Sequence, residues 1–172
     1  MIREAPTLRG NKVVLREKRL EDAKEDYAWK TDPELTRLDA ALPLRMTFQD
    51  YSGFYAEELR YPGWSRRQFG IDTLEGKHIG NCSYYNLDEF RGEAEVGIMI
   101  GDRSYWDKGY GAEAITILID YLFRETKLQR VYLHTLEGNT RAQKCFTRCG
   151  FAPCGHKVRD GHNFVIMEIH RQ

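Results

Sequence analysis

Seven consecutive residues, Trp106-Asp107-Lys108-Gly109-Tyr110-Gly111-Ala112, carry the clearest chemical signal in the chain. Gly109 and Gly111 remove side chains where a backbone could wrap an anion, and Lys108 adds a cation. A helix starting there would aim its unpaired N–H groups and its dipole at the same anion. The spacing admits a second reading, a tight strand-to-helix turn that needs glycine for its dihedral angles. The loop lacks the Lys-Ser/Thr ending of a P-loop and the third glycine of a dinucleotide fingerprint.

Other reactive side chains stand apart from this loop. Glu95 lies among apolar neighbours in a strand-like stretch. An unpartnered buried carboxylate is costly, so Glu95 needs either a task or a cation such as a nearby arginine. Asn139 directly precedes a helical segment and suits its N-cap. Cys145 and Cys149 are one helical turn apart, with Cys154 and His156 beyond. No Cys-x-x-Cys pair occurs, so we expect ordinary thiols and no metal. His134, in a core strand, reads as a hydrogen-bonded core or groove residue rather than a base.

The elements that must position these groups follow from periodicity. Residues 12–16 predict a first strand, and 20–30 a helix that Asp32-Pro33 stops or turns. Thr47 caps a second helix, with Asp50 three residues on as a weakened capping box. Phe54, Tyr55, Glu58, Leu59 and Tyr61 line that helix unevenly. Phe69, Ile71 and Thr73 alternate as a strand, Glu75-Gly76-Lys77 turns, and 79–85 returns as a hairpin. Residues 93–101 form a strand with Ala94, Val96, Ile98 and Ile100 on one face. The helix over 109–124 has so broad an apolar stripe that it is expected to be buried. A strand at 131–136 and a helix at 140–148, ended by Gly150, come next. Asp160-Gly161 turns a last hairpin whose second strand is 164–169. The 93–136 stretch is thus a β-α-β unit with parallel strands. Ligands of such units favour the strands' carboxyl ends, facing the helix N-terminus.

Composition bounds the rest. The chain has 172 residues, 41% hydrophobic and 30% charged, which is globular. Without a linker or repeat, residues 1–172 read as one domain. Its 26 basic and 26 acidic residues cancel, which argues against a nucleic-acid coat or a polybasic membrane binder. Four cysteines make no disulfide scaffold. The longest apolar run, 115–123, is interrupted by Asp120, and the start, Met1 to Pro6, has no apolar leader core. The expected location is cytoplasmic.

The stretch from Glu93 to Phe151 resembles the GNAT superfamily of N-acetyltransferases. That family's acetyl-CoA loop, Gln/Arg-x-x-Gly-x-Gly/Ala, falls on Trp106 to Gly111. Trp at the first position departs from the consensus but resembles the ribosomal-protein N-acetyltransferase-like branch, as does Ala112-Glu113-Ala114. Leu15-Arg16-Glu17, Leu20-Glu21-Asp22-Ala23, Asn139-Thr140-Arg141-Ala142 and Cys149-Gly150-Phe151 are similar to its flanking segments. The resemblance implies a mixed α/β fold: a mostly antiparallel sheet, a parallel β-α-β core and flanking helices.

It also implies direct transfer of acetyl from acetyl-CoA to a primary amine. An amine attacks only when neutral, so a general base is useful. Glu95 matches the family's acidic position and is the candidate base. Ile98, Met99 and Ile100 would supply backbone groups to the cofactor arm. Trp106, Asp107, Lys108, Gly109, Tyr110, Gly111 and Ala112 would hold its phosphates. Asn139 and Ala142 would contact the arm. Lys144 would reach a phosphate or stay solvated. Phe146 stands where many members have a Tyr that protonates the leaving thiolate, and Phe cannot donate a proton. A non-catalytic acyl-CoA-binding sensor or interaction domain is therefore the alternative. The acceptor, a protein N-terminus, polyamine, aminoglycoside or other small amine, is not specified. A homodimer through a sheet edge or the tail hairpin is compatible with the sequence.

Overall fold

Alternation gives the inner strands one apolar face, and a single eight-stranded sheet collects those faces. The computed structural model describes residues 5–172. The leader-free reading of the N-terminus falls largely on Met1 to Glu4, outside the described residues. In chain order the strands are β1 (Leu8–Arg9), β2 (Val13–Glu17), β3 (Arg67–Thr73), β4 (His78–Asp88), β5 (Glu93–Ile100), β6 (Arg130–Leu136), β7 (Ala152–Arg159) and β8 (His162–His170). The helices are α1 (Ala23–Thr31), α2 (Pro33–Leu38), α3 (Phe48–Arg60), α4 (Tyr110–Glu125) and α5 (Thr140–Arg148). Strand order across the sheet is β1-β2-β3-β4-β5-β6-β8-β7. Every neighbouring pair is antiparallel except β5 and β6.

The two faces of the sheet differ in chemistry. One packs on α4: Ala114, Ile115, Leu118 and Leu122 meet Val13, Leu15, Phe69, Ile71 and Val96 in the main core. The other carries the alternate residues of the same strands, Arg16, Asp72, Asn81 and Glu95, which are buried polar groups. Arg16 Nε donates to Asp72 at 2.7 Å, and its Nη atoms hold both oxygens of Asp22 at 2.8 Å. Lys18, Asn81, His78 and the Tyr55 hydroxyl converge on Asp26. This network fastens α1 and α3 to the sheet.

The structure amends several expected elements. The 20–30 segment opens as a 3₁₀ turn (Leu20–Asp22) before α1. Asp32-Pro33 starts a further helix, α2, because the Asp32 carboxylate accepts from the N–H groups of Glu34 and Leu35 and Pro33 fits the first turn. Phe54 and Tyr61 are exposed rather than packed, while Tyr55 is buried as expected and Tyr51 joins it. The two-residue β1 is too short to show a period.

Candidate active site

The parallel pair at the centre of the sheet is short. β5 and β6 pair at Glu93↔Arg130, Ala94↔Val131 and Glu95↔Tyr132, and then part. Gly101 N–H donates to Ile79 C=O at 2.9 Å. Alternation therefore turns the backbone groups of Met99 toward β4 and those of Ile98 and Ile100 into the gap. The Ile100 carbonyl accepts from the Trp106 indole N–H at 2.7 Å. The backbone of Ile98 and the N–H of Ile100 face the groove.

α4 begins beside that gap. Gly109 caps it in the left-handed region (φ 86°), and Asp107 also has positive φ (58°). Gly109 offers no side chain to the first N–H groups, so those of Tyr110, Gly111 and Ala112 lack an intrahelical acceptor. A Cβ added to Gly111 would lie 3.6 to 3.9 Å from Ile100, Cys145 and Ile98, filling the groove wall. Glu113, in the first turn, accepts from the N–H groups of Asn11, Lys12 and Val13 at 2.7–2.9 Å and pins the helix start to β2.

α5 forms the opposite wall. The Asn139 side chain accepts from Ala142 N–H at 3.2 Å, as an N-cap should. Arg141, Lys144, Cys145, Phe146 and Arg148 line the groove from this helix. Phe146 is 7% exposed and meets Phe151 edge-on, so it also belongs to the core. The far end of the groove is closed by Leu35, Leu38 and Asp39 of the α2 region.

Of the expected cofactor residues, Ile98, Met99, Ile100, Trp106, Asp107, Gly109, Gly111, Ala112, Asn139, Ala142, Lys144 and Phe146 come together on this groove. Lys108 and Tyr110 do not line it. Lys108 is exposed, and Tyr110 packs edge-on against Tyr105 with Lys12 above its ring. Sequence reasoning missed Arg141 and Arg148, although Arg141, Lys144 and Arg148 are spaced as one helical stripe. It missed the α2 residues because nothing local links 35–39 to the loop.

Glu95 lies outside the groove walls, on the polar face next to the point where β5 and β6 part. Its partner is not an arginine. Oε1 accepts from the Tyr85 hydroxyl at 3.2 Å and pairs with His134 Nδ1 at 2.7 Å, and Oε2 accepts from Asn86 Nδ2 at 3.0 Å. Burial and the adjacent Glu95 charge push the Tyr85 phenol far up, so it remains a donor.

The groove suits a long phosphorylated thioester. Unpaired strand backbone, a side-chain-free helix start and three cations follow one another along it. A sequence model of the acetyltransferase (GNAT) domain family matches residues 12–152. The chain belongs to the GNAT acetyltransferases. Among GNAT relatives, an uncharacterized N-acetyltransferase p20 of Bacillus licheniformis is 30% identical over 146 residues, 84% of this chain and 82% of that one. The putative ribosomal N-acetyltransferase YdaF of Bacillus subtilis is 33% identical over 106 residues, 58% of this chain and 57% of that protein. The crystal structure of Vibrio cholerae spermidine N-acetyltransferase with CoA and spermine superposes with a TM-score of 0.82 at 20% identity. It covers 94% of this chain and 96% of that one. As a GNAT enzyme, the chain uses acetyl-CoA as its acetyl donor. Among the described residues no cluster of His, Cys, Asp and Glu could hold a metal ion. No helix there is long and apolar enough to cross a membrane.

Proposed function

We propose that this GNAT domain, residues 1–172 as one unit, transfers acetyl to a primary amine carried by a small molecule or a protein N-terminus. The observation that carries the reading is the parting of β5 and β6 beside the start of α4, whose cap Gly109 has no side chain to occupy the first N–H groups. Acetyl-CoA supplies an activated thioester. Ile98, Met99 and Ile100 hold its arm along the gap. Trp106, Asp107, Gly109, Gly111 and Ala112, with Lys108 and Tyr110 flanking, surround its phosphates. Asn139, Ala142, Lys144 and Phe146 form the second wall. Glu95 anchors the basic centre that takes the amine proton.

Spermidine N-acetyltransferase of Vibrio cholerae is among the similar proteins, and in this reading the amine reaches the gap from the polar face of the sheet. Four unpaired cysteines support a reducing, cytoplasmic setting. The cancelled charge supports an acceptor other than nucleic acid or a membrane surface. A second copy of the chain could add at the free edge strand β7.

The test is release of the CoA thiol from acetyl-CoA with spermidine, spermine, an aminoglycoside and peptides bearing free N-termini, followed by mass spectrometry. A product carrying one acetyl group on an amine is expected. Tight coenzyme A binding without thiol release for any of them would reduce the protein to a binding module.

A further inference from the structure

Three donors surround the Glu95 carboxylate, which is 7% exposed. An amine approaching it would have to displace one of them. His134 is placed differently. Its Nδ1 faces Glu95 at 2.7 Å, so Nδ1 carries the proton and the lone pair lies on Nε2. Among the described residues Nε2 has no hydrogen-bond partner, and the side chain keeps 13% exposure. Edge-on contacts with Tyr132 (5.9 Å) and Phe164 (6.3 Å) hold the ring from two sides.

The register puts that nitrogen at the gap. Counting on from Glu95↔Tyr132, His134 stands level with Gly97, the neighbour of Ile98 on the groove. Both lie on the polar face, and Gly97 has no side chain to fill the space between them. A Cβ there would meet the Tyr85 hydroxyl at 3.4 Å. The space over Gly97 is bounded by Tyr85 and Ser83, and the Glu95 carboxylate joins Tyr85 to His134; of these groups His134 offers the unengaged base.

We propose that Nε2 of His134 takes the proton from the acceptor amine, and that Glu95 is a positioning residue acting through it; this rests on the acetyl-transfer reading above. The amine proton passes to Nε2 as the nitrogen lone pair forms the bond to the acetyl carbon. The carbon–sulfur bond breaks and its electron pair leaves on sulfur. The imidazolium then returns its proton to that thiolate or to water. Glu95 fixes the tautomer beforehand and faces the positive ring afterwards, the role of the carboxylate in a Ser-His-Asp triad.

His134→Asn keeps an N–H donor for Glu95 but removes the base. With the fastest acceptor of the panel, kcat should fall roughly 10²- to 10⁴-fold, with coenzyme A affinity and melting temperature unchanged. Free imidazole should restore part of the turnover of His134→Ala and none of that of Glu95→Gln in which His134 remains. The double variant Glu95→Gln/His134→Asn should be no slower than His134→Asn alone. A His134→Asn protein turning over at the natural rate would overturn the assignment. So would a further hundredfold loss on adding Glu95→Gln, which would make the carboxylate the base. A natural protein that releases no thiol with any amine would instead overturn the acetyl-transfer reading itself.

Discussion

The Arg141 guanidinium lies 3.6 Å above the centre of the Trp106 ring, while the indole N–H of Trp106 holds the Ile100 carbonyl at 2.7 Å. One side chain therefore joins the end of β5, the loop before α4 and the wall made by α5. A cation–π contact contributes about 0.5–2 kcal/mol and a hydrogen bond about 1 kcal/mol. Trp106→Ala should weaken coenzyme A binding roughly 5- to 30-fold and lower the melting temperature by about 2–4 °C per kcal/mol lost. Calorimetric titration and a thermal melt check both. Wild-type affinity in that variant would show that the stack is ornamental to the groove.

The two loop glycines should fail in different ways. Gly109 has φ 86°, so Gly109→Val strains the backbone by about 1–3 kcal/mol and costs stability as well as binding. Gly111 is helical, and a Cβ there has ordinary contacts at 3.6 to 3.9 Å inside the groove. Gly111→Val should abolish coenzyme A binding with most of the stability kept. Paired melts and titrations of the two variants separate these outcomes.

The buried charge network predicts acid lability. Hydrogen bonds from the Arg16 guanidinium hold Asp22 down to about 2 against the cost of burial, and Asp26 is held lower still, chiefly by His78 and Lys18. Folded-state values below the ordinary carboxylate value near ~3.9 favour the fold wherever these groups are ionised. That stability is complete above about pH 5 and lost as pH falls toward about 2. The melting temperature should drop through this window and show no comparable loss between neutral pH and pH 5. At neutral pH, Arg16→Met strands Asp22 and Asp72 and should cost about 3–5 kcal/mol in urea unfolding.

Cys145 lines the groove, and Cys149 follows it one helical turn later. The neighbouring Cys145 thiol brings Cys149 down to about 7, while burial pushes Cys82 far up. The same thiol contact and burial push Cys145 far up, so iodoacetamide at neutral pH should modify Cys149 and exposed Cys154 and spare Cys145 and Cys82. Coenzyme A should slow Cys149 through its neighbour Cys145, which lines the groove, and leave Cys154 reactive. Peptide mass spectrometry reads the pattern directly.

Local signals carried further than tertiary ones in this chain. Asn139 and Gly150 bracket α5 as their types dictate, and Asp160-Gly161 turns the last hairpin with both residues at positive φ. Glu95 was visible as a carboxylate needing an account, yet His134 was not visible as its partner. Their meeting depends on the β5–β6 register, which no neighbouring residue encodes. On α3 the expected Tyr55 does turn inward, but its hydroxyl goes to Asp26 of another helix, a link that nothing local to α3 encodes. The signals for α2, an Asp cap and a Pro at the first helical position, were present but shared their place with a stop.

Only three residue pairs join β5 to β6, and every other neighbour in the sheet is antiparallel. Mechanically, the molecule is two ribbons, of five strands and three, on a short hinge. The hydrogen-bond ladder is thinnest at this seam, and one continuous core, from Val13 to Val131 and Met167, holds the two ribbons together beneath it. A ligand lodged there works as an added rung, tying Ile98 on one ribbon to the far half of the other. Binding thus adds connections where the sheet has fewest, at the line where the two substrates meet.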